Sequence, residues 1–425
     1  MTKEKKKSVL YLTAALSGGN YYAMVMHMVA GIVIGRYVEP GVLGKFGAFS
    51  LVLGYIPFAQ LGILNGLNRE LPYYIGRGEG ERVNTLASAA QFWACALGGI
   101  VGAVLLVLSL FYAVIGNFEN ALGWAVHAIL AFLLFYNTYY LQMTYRTSHD
   151  FARLAISKVF ESTASVVLIV MVVWWGFYGL CIKALLVAFV SLGILYWWRP
   201  IRVLPRWDWS SIKHLFSIGC PIFIVGQIYS YWGVIVSTCV LATLGKTGMG
   251  LYTIVVMSLA AMETVPKAVS QIVYPRMAQA WGEKEDIGNI LKVAIKPILL
   301  MFLGLIPILV LANYLVGPAI EFLLPKYVAA IPAVKWSIWI SLICTLDPIT
   351  NVFNVVRRQR LYLALILTGM IATFVSIKVL IVFEGNTLAV FPQSMLIGKT
   401  VFMALCYFVI YRIWKRGAMD ATNNA

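Results

Sequence analysis

Twelve runs of apolar residues, each close to twenty long and apolar on all sides, divide this 425-residue chain and leave one class of fold open to it. About twenty such residues in a helix cross the ~30 Å hydrocarbon core of a bilayer. A transmembrane β-barrel would instead alternate apolar and polar residues over roughly ten-residue segments, and runs such as 96–114 and 293–316 do not alternate. With 61% hydrophobic and 12% charged residues, the composition lies far from that of soluble domains. The sequence predicts an all-α polytopic membrane protein of about 12 transmembrane helices. Their approximate spans are 9–34, 43–66, 86–114, 121–143, 156–175, 178–198, 214–241, 250–273, 293–315, 333–355, 361–383 and 388–411.

Cations orient these spans. Of the 33 Lys and Arg residues, 24 fall in the termini and in every second gap, from the Lys3–Lys7 cluster to Arg412, Lys415 and Arg416. The intervening gaps hold Arg36, Lys45, Lys246, Lys326 and Lys335. Basic loops are retained in the cytoplasm during insertion, so both termini are expected there. The net charge of +16 is thereby a topology signal, and no nucleic-acid partner is implied.

Lys3 to Lys7 ahead of an apolar run resembles a signal peptide, with Ala14, Ala15, Ser17 and Gly18 as a cleavage region. The run resumes and reaches Ile34, however, and its removal would break the charge alternation. It is read as the first transmembrane helix. The six cysteines show no C-x-x-C spacing, and His27, His127, His149 and His214 are scattered. No metal site or cofactor is predicted.

An internal repeat is visible when residues near 47–82 are laid on those near 250–285 at an offset of 203. Gly47 meets Gly250, Phe49 meets Tyr252, and Pro72 meets Pro275. A weaker match at offset 211 puts Tyr145-Arg146 on Val356-Arg357. Two six-helix lobes of parallel topology follow: 1–198 as the N-terminal lobe, 199–213 as a cytoplasmic basic connector, and 214–425 as the C-terminal lobe with a short cytoplasmic tail. Paired helical lobes are how many transporters build a cavity open to each face in turn.

Charges at membrane depth are costly and so mark functional candidates. Lys399 lies near the middle of the last span. Lys378 and Lys183 lie close to outer ends, where snorkelling competes. Lys267 follows Glu263 by one turn, the favourable order for an ion pair. Glu161 lies one turn inside the fifth span, where the helix dipole favours an acid. Asp347 precedes Pro348 at a helix break. Arg36 and Arg69 flank opposite ends of the first two spans. Aromatic residues cluster beside amides: Tyr136, Tyr139 and Tyr140 near Asn137 and Gln142, and Tyr229, Tyr231 and Trp232 near Gln227. Such groupings suit sugars, and they also occur in ordinary packing.

The stretch Gly62-Ile63-Leu64-Asn65-Gly66-Leu67-Asn68-Arg69-Glu70-Leu71-Pro72-Tyr73-Tyr74-Ile75-Gly76-Arg77-Gly78 resembles the end of the second helix in polysaccharide exporters of the Wzx (O-antigen repeat unit) flippase type. These belong to the multidrug/oligosaccharidyl-lipid/polysaccharide exporter superfamily. The resemblance implies a bacterial cytoplasmic (inner) membrane protein of lipopolysaccharide assembly. It would flip a polyprenyl-pyrophosphate-linked oligosaccharide to the outer leaflet by alternating access, not act as an enzyme. It further implies coupling to a proton or sodium gradient and contact with other polysaccharide assembly proteins. Lys399, Lys378, Lys183, Lys267, Arg36, Arg69, Tyr136, Tyr140, Tyr229 and Trp232 are then the candidates for substrate contact, and Asp347, Glu263 and Glu161 for ion coupling. Drug extruders of the same superfamily often carry an acid in the first helix, and this chain has none between Glu4 and Glu39. A small-solute exporter of the same fold and a membrane-embedded glycan polymerase or ligase are the alternatives. The latter usually needs a large outer loop, and no outer gap here exceeds the short 317–332 segment.

Overall fold

Continuous apolar sequence with few loop-forming residues yields helix nearly throughout. The computed structural model describes residues 3–148, 150–283 and 286–423, with the side chains of 3–17, 222 and 416–423 left out. The side chains of Lys3, Lys5, Lys6, Lys7 and Arg416, and all of His149 and Lys284, lie outside the described residues. No strand occurs among those described.

The helices are α1 (Lys3–Tyr37), α2 (Pro40–Tyr55), α3 (Ile63–Gly76), α4 (Gly80–Val114), α5 (Phe118–Leu133), α6 (Gln142–Thr147), α7 (Phe151–Val167), α8 (Ile169–Trp175) and α9 (Phe177–Trp197). They continue as α10 (Trp209–Met262), α11 (Thr264–Glu283), α12 (Ile287–Leu323), α13 (Ile331–Cys344), α14 (Asn351–Val355), α15 (Gln359–Glu384) and α16 (Val390–Asn423). Ten stretches of the described residues are long and apolar enough to cross a membrane. One of them, Phe223–Glu283, holds the seventh and eighth predicted segments joined end to end. Helix α1 is not among the ten, since its described part carries Asn20, Tyr21, Tyr22 and His27. It is nonetheless an unbroken 35-residue helix through the region read as the first span.

Several predicted spans are interrupted. The second breaks after a 3₁₀ turn, Ile56–Gln60, at Leu61 (φ 51°) and Gly62 (φ 81°). Only Gly adopts the left-handed region without strain, so Gly62 is where the chain can turn. The fourth contains a π-helical segment, Leu134–Leu141. The fifth divides between α7 and α8 at Leu168. The loop expected between the seventh and eighth spans reduces to a kink at Gly245 (φ 66°, ψ −164°) inside α10. The eighth is interrupted at Glu263, and the tenth at 345–350, where Pro348 follows Asp347.

These breaks repeat. At offset 203 the Leu61–Gly62 break meets residues 264 and 265, beside Glu263. At offset 211 the π-helical segment 134–141 meets 345–352, which covers the break before α14. The repeat seen in residue identities thus extends to where the helices fail.

Two compact units form, Met1–Val234 and Ile235–Ala425, so the dividing line falls within α10. In the first unit, Leu64, Leu67 and Leu71 of α3 are fully buried against Leu86, Ala87 and Ala90 of α4, with Tyr140, Tyr145 and Leu215 in the same core. The spacing of three and four residues puts the leucines on one helix face. Glycines let α10 approach as closely as backbone allows. A Cβ on Gly66 would collide with the Leu215 carbonyl, one on Gly219 with the Gly62 carbonyl, and one on Gly62 would stand 2.7 Å from the Cys220 backbone. The Glu70 carboxylate meets His214 Nε2 at 2.9 Å beside this seam, and Tyr231 donates to the Tyr55 carbonyl at 2.6 Å. The opening turns of α10 are therefore part of the first unit.

Candidate functional site

Helix interruptions free backbone groups and place polar side chains at membrane depth, and such irregular backbone is tolerated where it is buried in protein or lines a cavity. Five of the sequence candidates, Glu263, Lys267, Asp347, Tyr136 and Tyr140, lie at or beside the interruptions.

In the second unit four of them converge on the buried thiol of Cys344 at the end of α13. Asp347, Lys399, Glu263 and Lys267 all act on it electrostatically. Glu263 at the break between α10 and α11 binds Lys267 Nζ at 2.8 Å and accepts from Cys344 Sγ at 3.9 Å. Asp347 opens the 3₁₀ turn after α13. Lys399 is 3% exposed on α16. Its position is set by the preceding residue: a Cβ on Gly398 would collide with the Thr373 hydroxyl and stand 2.6 Å from the Gly369 carbonyl, so α15 and α16 touch there. Small residues allow such close crossings in membranes. The interruption is braced by Asn351 Nδ2 donating to Ser270 Oγ at 2.8 Å and by a 3.2 Å contact of Thr350 Oγ1 with the Tyr362 hydroxyl. Two acids and two lysines balance, which moderates the cost of about 2.5–3.5 kcal/mol for one charge at the centre of an inserted helix.

In the first unit the π-helical segment builds a buried polar row. Gln91 Nε2 donates to the Tyr136 hydroxyl at 3.3 Å, the Tyr140 hydroxyl reaches Gln91 Oε1 at 3.5 Å, and Asn137 Nδ2 donates to Ser191 Oγ at 3.1 Å. Tyr136 and Tyr140 stack at 5.8 Å. Single-turn π segments inside α-helices often mark functional sites. Asn137 Oδ1 and the nearly sealed Gln60 Oε1 have no hydrogen-bond partner among the described residues.

A second polar group joins α7 to α1 and α9. Lys158 Nζ binds Glu161 Oε2 at 3.1 Å, and Glu161, Lys183 and Lys158 all act on His27. Helix α7 begins at Phe151, so Glu161 lies well past the first turn, and Lys158 rather than the helix dipole answers its charge. Lys158 lies in the second turn of α7.

The remaining candidates stand apart from these groups. Lys378 is exposed and acts on Cys239. Arg36 and Arg69 are exposed. Tyr229 packs edge-on against the buried Trp232 at 6.3 Å. Sequence reasoning missed Gln60, Gln91, Ser191, His27 and Cys344. A lone amide within an apolar run was the available signal for Gln60 and Gln91; Cys344 and His27 gave none, because their neighbours come from distant segments. No group of His, Cys, Asp and Glu suited to a metal occurs among the described residues.

Comparison with known proteins gives two findings. The family described as polysaccharide biosynthesis protein matches residues 43–332. Among solved structures, an inward-facing multidrug resistance MATE family transporter of the MOP superfamily superposes with a TM-score of 0.71 at 16% identity, covering 92% of this chain and 95% of that chain. An outward-facing conformation of a MATE family transporter gives 0.66 at 17% identity, covering 95% and 96%. A MOP superfamily transporter from Pyrococcus furiosus Vc1, reported with reverse polarity of its binding pocket, gives 0.65 at 16% identity and covers 95% of each chain. No curated protein sequence matches.

Proposed function

The chain belongs to the polysaccharide biosynthesis protein family, and on that premise we propose that it carries a polyprenyl-pyrophosphate-linked oligosaccharide from the cytoplasmic to the outer leaflet by alternating access. Family and fold are those of MOP-superfamily transporters rather than of an enzyme. The observation that carries the reading is the presence of Asp347, Glu263 and Lys267 at two helix interruptions of the second unit, with Lys399 of the unbroken α16 acting on the same buried thiol.

A diphosphate headgroup needs cations in a wet site, and its glycan needs aromatic faces rimmed by hydroxyl and amide groups. In the second unit Lys399 and Lys267 are the candidate cations; in the first unit, taken by itself, Tyr136, Tyr140, Gln91 and Asn137 are a candidate surface of the glycan-binding kind. Export against an inward proton or sodium gradient needs ion and substrate to occupy the carrier in turn. In this scheme a cation that binds Asp347 or Glu263 returns the emptied carrier and leaves before the diphosphate binds, each weakening the other reciprocally. Lys378, Lys183, Arg36, Arg69, Tyr229 and Trp232 are secondary contacts in this scheme, and Glu161 with Lys158 and His27 is a second site of proton or sodium uptake. The scheme has the protein in the bacterial inner membrane, among proteins assembling O-antigen or a related polysaccharide; because residues 214–234 pack within the first unit, its moving parts are 1–234 and 235–425 rather than 1–198 and 214–425. The multidrug transporters share the fold at 16–17% identity, which supports no drug substrate here.

The test is complementation. In cells whose own copy is deleted, the chain restores surface glycan and removes lipid-linked oligosaccharide from the cytoplasmic leaflet. Unchanged glycan together with altered efflux of cationic dyes would overturn the reading in favour of a drug exporter, and repeat-unit polymerisation by the purified protein would overturn it in favour of an enzyme.

A further inference from the structure

Two pockets meet on the second unit, apart from the charges around Cys344. A groove of about 1100 Å³ runs between α12 and α16, walled by Leu299, Leu300, Leu303, Tyr407, Tyr411 and Trp414. A pocket of about 690 Å³ between α11 and α12 is lined by Arg276, Gln279, Glu283, Lys292 and Lys296 among others. Lys292, Lys296 and Leu300 line both, so hydrocarbon wall passes into basic pocket along one helix face.

At the basic end three cations face one acid among the described residues. Lys292 and Lys296 are exposed one turn apart on α12, an arrangement in which like charges repel, and Arg276 adds a third cation beside Glu283. None of the three forms an ion pair among the described residues. Glu283 is held by the Gln279 amide at 2.9 Å. An anion at this point would relieve the repulsion.

The groove has the depth of a leaflet. From Lys292 to Gly304 α12 rises about 18 Å, and from Trp414 to Tyr407 α16 rises about 10 Å, against about 15 Å for half of the hydrocarbon core. Trp414 stands beside the lysines, as an aromatic anchor at headgroup level does, and the charge pattern puts that end in the cytoplasm. We propose that this groove binds an anionic phospholipid of the cytoplasmic leaflet, its acyl chain along Leu299, Leu300 and Leu303 and its phosphate among Lys292, Lys296 and Arg276. A polyprenyl chain, several times longer than an acyl chain, would overrun the groove, so the site is distinct from that of the transported lipid.

Native mass spectrometry of the full chain in detergent, with phosphatidylglycerol or phosphatidylcholine of the same acyl chains, tests this. Both lipids carry one phosphate, but the choline cation cancels its charge and is repelled by the three basic side chains, so the protein is expected to retain phosphatidylglycerol about tenfold more strongly. Lys292→Gln with Lys296→Gln brings the two lipids to parity. Equal retention by the unaltered protein, an unchanged preference in the double variant, or displacement of phosphatidylglycerol by a polyprenyl diphosphate would each defeat the proposal. Should the double variant fail to fold, Leu303→Trp fills the groove and spares the lysines: retention falls if the acyl chain lies there, and wild-type retention rules it out.

Discussion

The Glu70 carboxylate and the His214 imidazole lie 2.9 Å apart, joining α3 to the first turns of α10. Glu70 is 8% exposed, so its charge depends on this partner. His214→Ala strands it and is expected to destabilise the first unit by about 1–3 kcal/mol, the usual loss for a buried polar group deprived of its partner. Thermal unfolding in detergent measures the loss, and Glu70→Gln in the same background should recover part of it.

The glycine seam beside that pair is less forgiving. Gly66→Ala and Gly219→Ala each drive a methyl group into a carbonyl oxygen of the facing helix, and overpacking of this kind costs about 1–3 kcal/mol. Gly76→Ala, with open space around it, serves as the control. Comparable melting of all three variants would show that α3 and α10 have room to part.

Lys399→Ala is expected to cut surface glycan at least tenfold while membrane protein level holds, the tenfold corresponding to about 1.4 kcal/mol. Lys399→Arg keeps the charge and should retain most of the export. Wild-type glycan in Lys399→Ala cells would remove this lysine from the transport cycle.

The π-helical segment Leu134–Leu141 holds one residue more than an α-helix of the same span. Deleting Thr138 should restore α-helical register, leaving α6 in place while turning Tyr136 away from Gln91. Export is expected to fall with little change in insertion. Full export by the deletion variant would reduce the segment to packing.

Asp208 caps α10, its Oδ1 accepting from the Ser210 N–H at 3.2 Å. Its pKa is lowered from 3.8, chiefly by the Ser211 hydroxyl and then by the backbone N–H groups of Ser211 and Ser210 and the charge of Arg82. A depressed carboxyl stabilises the fold above its unfolded value, and the contribution is lost as pH falls through the folded one. Asp208→Asn should therefore lower the melting temperature slightly at pH 7, and the difference from the unaltered protein should fade as pH falls below the ordinary carboxyl range.

The apolar runs made the helical membrane fold legible, because length and hydropathy suffice for that. Offsets 203 and 211 made the repeat legible, but identity at Gly47 and Pro72 gave no hint that the helices break between them. Breaks depend on single residues such as Gly62 and on which backbone groups find partners, and hydropathy is blind to both. Lys399, Asp347, Glu263 and Lys267 were each visible as charges at membrane depth. Their common action on Cys344 was not, since Glu263 and Cys344 lie 81 residues apart in sequence, and the thiol itself carries no signal in an apolar run.

The seating of residues 209–234 on the first unit has a consequence for synthesis. Chains enter the membrane from the N-terminus, so the first six spans are inserted before the surface formed by Gly62 and Gly66 receives its occupant. Until the ribosome has passed Val234, that surface and the carboxylate of Glu70 face lipid or some temporary companion. The first unit is thus finished late, by a helix that also begins the second, and a nascent chain halted near residue 208 is the form most exposed to quality control.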